Sequence, residues 1–204
     1  MDGAPRHVLL LHGLWMPGMS MGWMARRLQR EGFVTSVFAY PGAMAGPRLV
    51  LPALARRLAG VEAVVAHSLG GLLTLEALRQ GDFPKLRRVV CLGSPLCGSG
   101  AAQGLRTHRA TGWALGRAAP LLREGCPPWD GSAQVGMVAG TRAIGFGRWF
   151  ARFEGPSDGT VAVAETRLPG LVDHCSVDAS HSGLLFSEAA ARQVAHFLRE
   201  GHFA

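Results

Sequence analysis

A chain of 204 residues, 48% apolar and 17% charged, can bury one sizeable core, which excludes a disordered chain. Its formal charge of +7 rests on arginine, with Lys85 the single lysine; some arginines fall in pairs on expected helix faces or beside a strand (Arg26/Arg27, Arg56/Arg57, Arg87/Arg88), and they form no aromatic-interleaved stripe. That argues against nucleic-acid binding and leaves a positive field suited to anionic substrates or to peripheral contact with lipid surfaces.

No run of 18 apolar residues predicts a spanning helix, and the four apolar residues at 8–11 are too few for a signal-peptide core, so a cytoplasmic location is expected. Cys91, Cys97, Cys126 and Cys175 form no C-x-x-C pair and predict neither a zinc site nor a disulfide framework. Scattered buried thiols in a reducing compartment are the expectation.

In chain order, residues 8–11 form an all-apolar run suited to a strand buried on both faces. A helix is expected over 21–31, stopped by Gly32, then a strand over 34–38 closed by Tyr40-Pro41-Gly42. Residues 47–58 read as a helix with Pro47 in its first turn and Gly60 just beyond its end. Strand 63–66, helix 70–80 and strand 89–92 follow. Residues 97–128, rich in Gly, Ala and Arg, read as short helices and loop over the edge of the sheet, a cap-like insertion extending to 132. Strands at 135–139 and 172–177, a short extended piece at 161–163 and a last helix over 187–200 complete the pattern. The alternation predicts one α/β domain: about six mostly parallel strands with helices on both faces.

Ligands of parallel sheets gather beyond the carboxyl ends of the strands. Three segments there match small-x-Ser-x-Gly: residues 18–22, 66–70 and 155–159. Only Ser68 has a strand before it and a helix after it, as a nucleophile elbow requires, with Ala66 and Gly70 small enough for strand and helix to approach. A serine hydroxyl needs a base, and the base an orienting acid, in the chain order Ser, Asp or Glu, His. His181 follows the last strand and precedes the last helix. His108 falls in the insertion, His174 in the last strand, and His196 and His202 on or after the last helix. Asp158, in the loop beyond 135–139, is the candidate acid; Asp130, Asp173 and Asp178 are placed less well.

An oxyanion hole needs two aimed backbone N–H groups. Leu69, after the nucleophile, supplies one, and Leu14, in the loop Leu11-His12-Gly13-Leu14-Trp15, the other. His12 reads as a brace for that loop. His67, beside the serine, reads as a structural residue whose side chain points away. Trp15, Met16, Met19 and the insertion are candidates for an apolar acyl pocket.

Leu11-His12-Gly13-Leu14, Ala66-His67-Ser68-Leu69-Gly70-Gly71, Ser157-Asp158-Gly159-Thr160-Val161 and Ser180-His181-Ser182-Gly183 together resemble the α/β-hydrolase superfamily. Within it they are similar to small bacterial lipases and esterases related to the GPI-inositol-deacylase-like group. The resemblance runs from residue 11 to 185; the sequence departs from the eight-stranded form in that its first two strands are expected to be absent, leaving about six. It implies Ser68, Asp158 and His181 as catalytic residues acting on an ester or other acyl substrate, with no metal or organic cofactor. Thioesterase, acyltransferase or amidase chemistry uses the same residues, and a non-catalytic binding module would have no need of them.

Overall fold

In the computed structural model, which describes residues 5–42, 44–99, 117–144 and 155–204, the apolar run at 8–11 becomes strand β1 (His7–Leu11). Its side chains serve two separate cores. Val8 and Leu10 enter one, Leu9 and Leu11 the other, and all four are 1% exposed or less. A strand buried on both faces needs helices above and below it. The chain supplies them by alternation: α1 (Gly22–Arg30), β2 (Val34–Phe38), α2 (Pro47–Leu58), β3 (Ala63–His67), α3 (Leu69–Gln80), β4 (Arg88–Leu92), α4 (Ala119–Glu124), β5 (Gln134–Gly140), β6 (Asp173–Val177) and α5 (Glu188–Glu200).

The sheet order is β2-β1-β3-β4-β5-β6, and every pairing is parallel. The chain steps outward from β1 to β2, crosses back over β1 to β3, and then proceeds in one direction. With right-handed crossovers, that reversal puts α1 on the opposite face from α2, α3 and α4. Packing follows suit. Met24 and Leu28 of α1 share a core with Val194 and Phe197 of α5, while Leu54, Leu72 and Leu122 share the other. The same reversal opens a crevice beyond the carboxyl ends of β1 and β3.

The expected strand at 34–38 and helix at 47–58 form with those limits. β1, β4 and β5 run further than their apolar side chains suggest. His7 pairs with Val34, and Arg88 with Gln134, because the backbone ladder continues past the last buried side chain. The extended piece expected at 161–163 is shorter: Ala162 bridges Ser157, and a 3-10 turn begins at Val163. Glu165 reaches back to accept the Ala162 N–H at 2.8 Å, which curls the backbone that the Val-Ala-Val pattern would leave straight.

Two further expectations change. The described part of the insertion packs against α3 over a sheet face rather than over the edge. Ala118, Ala119, Leu122 and Trp129 are buried there, and Arg79 of α3 donates to the carbonyls of Pro127 and Pro128 while lying over the Trp129 ring. Residues 100–116, with His108, lie outside the described residues. Of the four free cysteines only Cys91 is fully buried, and Cys97 is exposed. Burial pushes the thiols of Cys91 and Cys175 up to about 12 and that of Cys126 to about 11.

Helix α5 is seated by Phe197, fully buried over a gap in β5: a Cβ on Gly136 would stand 2.4 Å from the Phe197 ring. Phe197→Ala is expected to lower unfolding free energy by about 3–5 kcal/mol, read from chemical denaturation midpoints at unchanged m-value.

Candidate active site

Ser68 follows β3 directly, with φ 53° and ψ −120°. Among the described residues, Trp15 is the only other non-glycine at positive φ. Such a conformation costs an L-residue about 1–3 kcal/mol and persists only where the surroundings fix it. Here the Ser68 N–H donates to Leu92 O at 2.9 Å, and the Gly71 N–H donates to Ser68 O at 3.0 Å. Helix α3 leaves the turn so close to β1 that a Cβ on Gly70 would lie 2.9 Å from His12 O. The small residue expected at this position is therefore demanded by the backbone approach.

His181, in the loop after β6, places Nε2 3.0 Å from Ser68 Oγ and Nδ1 2.7 Å from Asp158 Oδ2. Asp158 is buried, and its Oδ1 accepts the N–H groups of Thr160 and Val161 at 2.9 and 2.7 Å. That leaves Oδ2 to the imidazole. An ionised carboxylate only accepts, so the proton sits on His181 Nδ1 and the Nε2 lone pair faces the Ser68 hydroxyl. Main-chain bonds join the two loops, since the His181 N–H donates to Asp158 O at 2.9 Å. Room for the pair comes from Gly93, at φ 54° beyond β4; a Cβ there would stand 3.0 Å from Asp158 Oδ2 and 2.8 Å from Leu184 Cδ1. Sequence reasoning missed Gly93. Its only signal was a glycine at the exit of a buried strand.

The loop after β1 closes the other side. A Cβ on Gly13 would lie 2.9 Å from Ser68 Cβ, so this loop passes against the serine. Leu14 is half-buried and Leu69 opens α3; among the described residues neither N–H has a backbone acceptor. His12 braces the loop: Nδ1 bonds to Gly13 O at 2.8 Å, Nε2 accepts the Tyr40 N–H at 3.1 Å, and the two rings stack at 4.3 Å. The Tyr40 hydroxyl donates to His12 O at 2.7 Å. These bonds require a neutral ring with its proton on Nδ1, and burial holds the His12 pKa below the ordinary value.

Trp15 is exposed beside this loop, at 62%, and Met19 more so; Met16 packs against the α1 side of the core. The other serine matches go elsewhere. Ser20 lies in a 3-10 turn before α1, and Ser157 is buried beside Asp158. Asp178 pairs with Arg142 at the surface, and His174 shares a hydrogen bond with Thr166 at 2.8 Å. His67 departs from expectation. Its side chain does not turn away from the site: the ring is fully enclosed, 4.7 Å from that of His181, with Nε2 3.0 Å from His181 O. Among the described residues, no group of three or more His, Cys, Asp or Glu is placed to hold a metal ion, and no helix is long and apolar enough to cross a membrane.

No family model matches the sequence, and a search of curated proteins returns no match. Solved structures do match. A lipase from Bacillus licheniformis, in its mature form, superposes with a TM-score of 0.74 at 19% identity, covering 98% of this chain and 94% of that one. A thermophilic esterase from Thermogutta terrifontis gives 0.62 at 14% identity, over 96% and 90% of the two chains. An extracellular α/β-hydrolase from a Paenibacillus species gives 0.60 at 13% identity, over 95% and 98%. The chain has the α/β-hydrolase fold. It is the compact six-stranded version, with the serine elbow at the switch point between β1 and β3.

His12 and His67 are both held neutral by burial, His67 far below the ordinary histidine value. The unfolded chain titrates them near about pH 6.5, so stability is full above that pH and is lost as pH falls below it, where only the unfolded state gains protons. The melting temperature is expected to drop between about pH 7 and pH 5, before the carboxylates titrate, and the slope to be shallower in His67→Gln. Thermal denaturation across that range reads both.

Proposed function

We propose that this protein is a serine hydrolase that cleaves carboxylic esters through an acyl-enzyme, in the manner of small bacterial esterases and lipases of the GPI-inositol-deacylase-like group. The observation that carries the reading is the continuous Ser68–His181–Asp158 relay, at 3.0 and 2.7 Å, on a serine held at positive φ. Three residues drawn from the ends of three strands have no structural need to meet in this order.

Ser68 Oγ attacks the ester carbonyl carbon as its proton passes to His181 Nε2. Asp158, ionised and fixed by two N–H groups, stabilises the imidazolium through Nδ1–H. The Leu14 and Leu69 N–H groups receive the negative oxygen of the tetrahedral intermediate. His181 then protonates the departing alkoxide, and water, deprotonated by the same nitrogen, releases the acid. Trp15 and Met16, beside the oxyanion loop, would contact the acyl chain. The exposed apolar side chains of Trp15 and Met19, with a net charge of +7, suit peripheral contact with a lipid surface. The substrate is a small ester or acyl compound rather than a nucleic acid.

Hydrolysis of p-nitrophenyl acetate, butyrate, octanoate and palmitate tests the reading. Ser68→Ala is expected to lose about 10⁴–10⁶ in kcat, and Asp158→Asn about 10⁴. Unchanged turnover in Ser68→Ala would sink the assignment. Because His181 must be unprotonated to act, activity falls on acidification, and a pH–rate profile with no acidic limb would contradict a histidine base. Parallel rates on a thioester and an anilide separate ester cleavage from thioesterase or amidase chemistry.

A further inference from the structure

His67 lies immediately before the serine, and its contacts have no counterpart in the hydrolytic steps above. Its Nε2 stands 3.0 Å from His181 O. A carbonyl only accepts, so the proton is on Nε2 and the lone pair is on Nδ1. That nitrogen is buried without a partner among the described residues, and it faces Gly13, whose missing Cβ would come within 2.8 Å of it. The ring thus fills the space between the His181 loop and the oxyanion loop.

The main chain of His181 is fixed on both sides of its Cα. Its N–H is held by Asp158 O at 2.9 Å and its carbonyl by His67 Nε2. With the backbone fixed, only two side-chain torsions remain, and the His67 ring packed 4.7 Å away restricts those. We infer that His67 is a positioning residue for the hydrolysis, holding His181 Nε2 in line with Ser68 Oγ through the His181 carbonyl and keeping a neutral face towards the imidazole that must become charged.

Neutrality is part of the design. A proton on Nδ1 would point at Gly13 with no acceptor and would add a cation beside the ring that takes the Ser68 proton. His12, the other histidine close to His67, is itself held neutral and so adds no charge opposing the His181 imidazolium. A buried polar donor is costly unless it is hydrogen-bonded, and here the bond ends on the carbonyl of the residue that carries the base.

This inference rests on the proposed serine mechanism, and the experiment separates the two. Steady-state kinetics on p-nitrophenyl butyrate and rates of fluorophosphonate labelling are measured for wild type, Ser68→Ala, His67→Gln, His67→Leu and His67→Asn, with a melting temperature for each. Gln can present an N–H near the Nε2 position, whereas Leu has no donor and Asn is too short to reach. His67→Gln is expected to keep kcat within about fivefold of wild type. His67→Leu and His67→Asn are expected to lose about 10²-fold in kcat and in labelling rate, with KM moving less than about threefold. If Leu or Asn turns over as fast as Gln, or Gln is as slow as they are, the positioning role is overturned. Should His67→Leu not fold, His67→Asn against His67→Gln decides. Full activity in Ser68→Ala would instead overturn the serine mechanism and this inference with it.

Discussion

The strained backbone of Ser68 is the constraint around which this end of the molecule is arranged. At φ 53° and ψ −120° the residue turns the chain from the strand behind it into the helix ahead of it, its N–H held by Leu92 O and its carbonyl by the Gly71 N–H. Strand pairing therefore fixes the turn: β3 and β4 stay in register through His67 and Leu92, and the next residue along is the serine. The fully buried core beneath β3 resists any shift of that register, because a slip of one residue would exchange Val64 and Ala66 for Val65 between the two cores. Strain at one residue is in this way borne by packing over the whole sheet.

From that fixed point the remaining parts are placed by glycine-sized gaps and by buried hydrogen bonds. Gly70 brings α3 onto β1, Gly13 brings the loop after β1 onto the serine, and Gly93 leaves room for the Asp158–His181 pair. The polar groups that enter this region are nearly all satisfied. Asp158 uses both oxygens, and His12 both nitrogens. Among the described residues, Nδ1 of His67 is an exception.

Much of this was legible in the sequence, and the reasons differ by feature. β2 and α2 are bounded by strong signals, Gly32 and Tyr40-Pro41-Gly42 for one, Pro47 and Gly60 for the other. The positions of Ser68, Asp158 and His181 could be read because a parallel sheet sends each strand exit to the same end. Register beyond the apolar run could not, since His7, Arg88 and Gln134 pair through backbone atoms that every residue carries. The turn at 163–166 was hidden because Glu165, three residues on, curls a stretch whose own side chains favour extension. The contact of His67 with His181 spans 114 residues and rests on a carbonyl, to which no side-chain pattern corresponds.

The order in which the relay is assembled along the chain has a consequence for biosynthesis. Ser68 and its elbow are complete once β1, β3 and β4 have paired, within the first 92 residues. The partner of its hydroxyl, His181, and Asp158 behind it arrive with the two loops that flank β6, joined to each other by one main-chain bond and by the imidazole–carboxylate bond. A growing chain carries the strained turn long before it carries the histidine that meets it. Under the proposed mechanism the hydroxyl stays silent towards acyl groups until the last strand has docked, and labelling of Ser68 would report that the sheet has closed to its sixth strand.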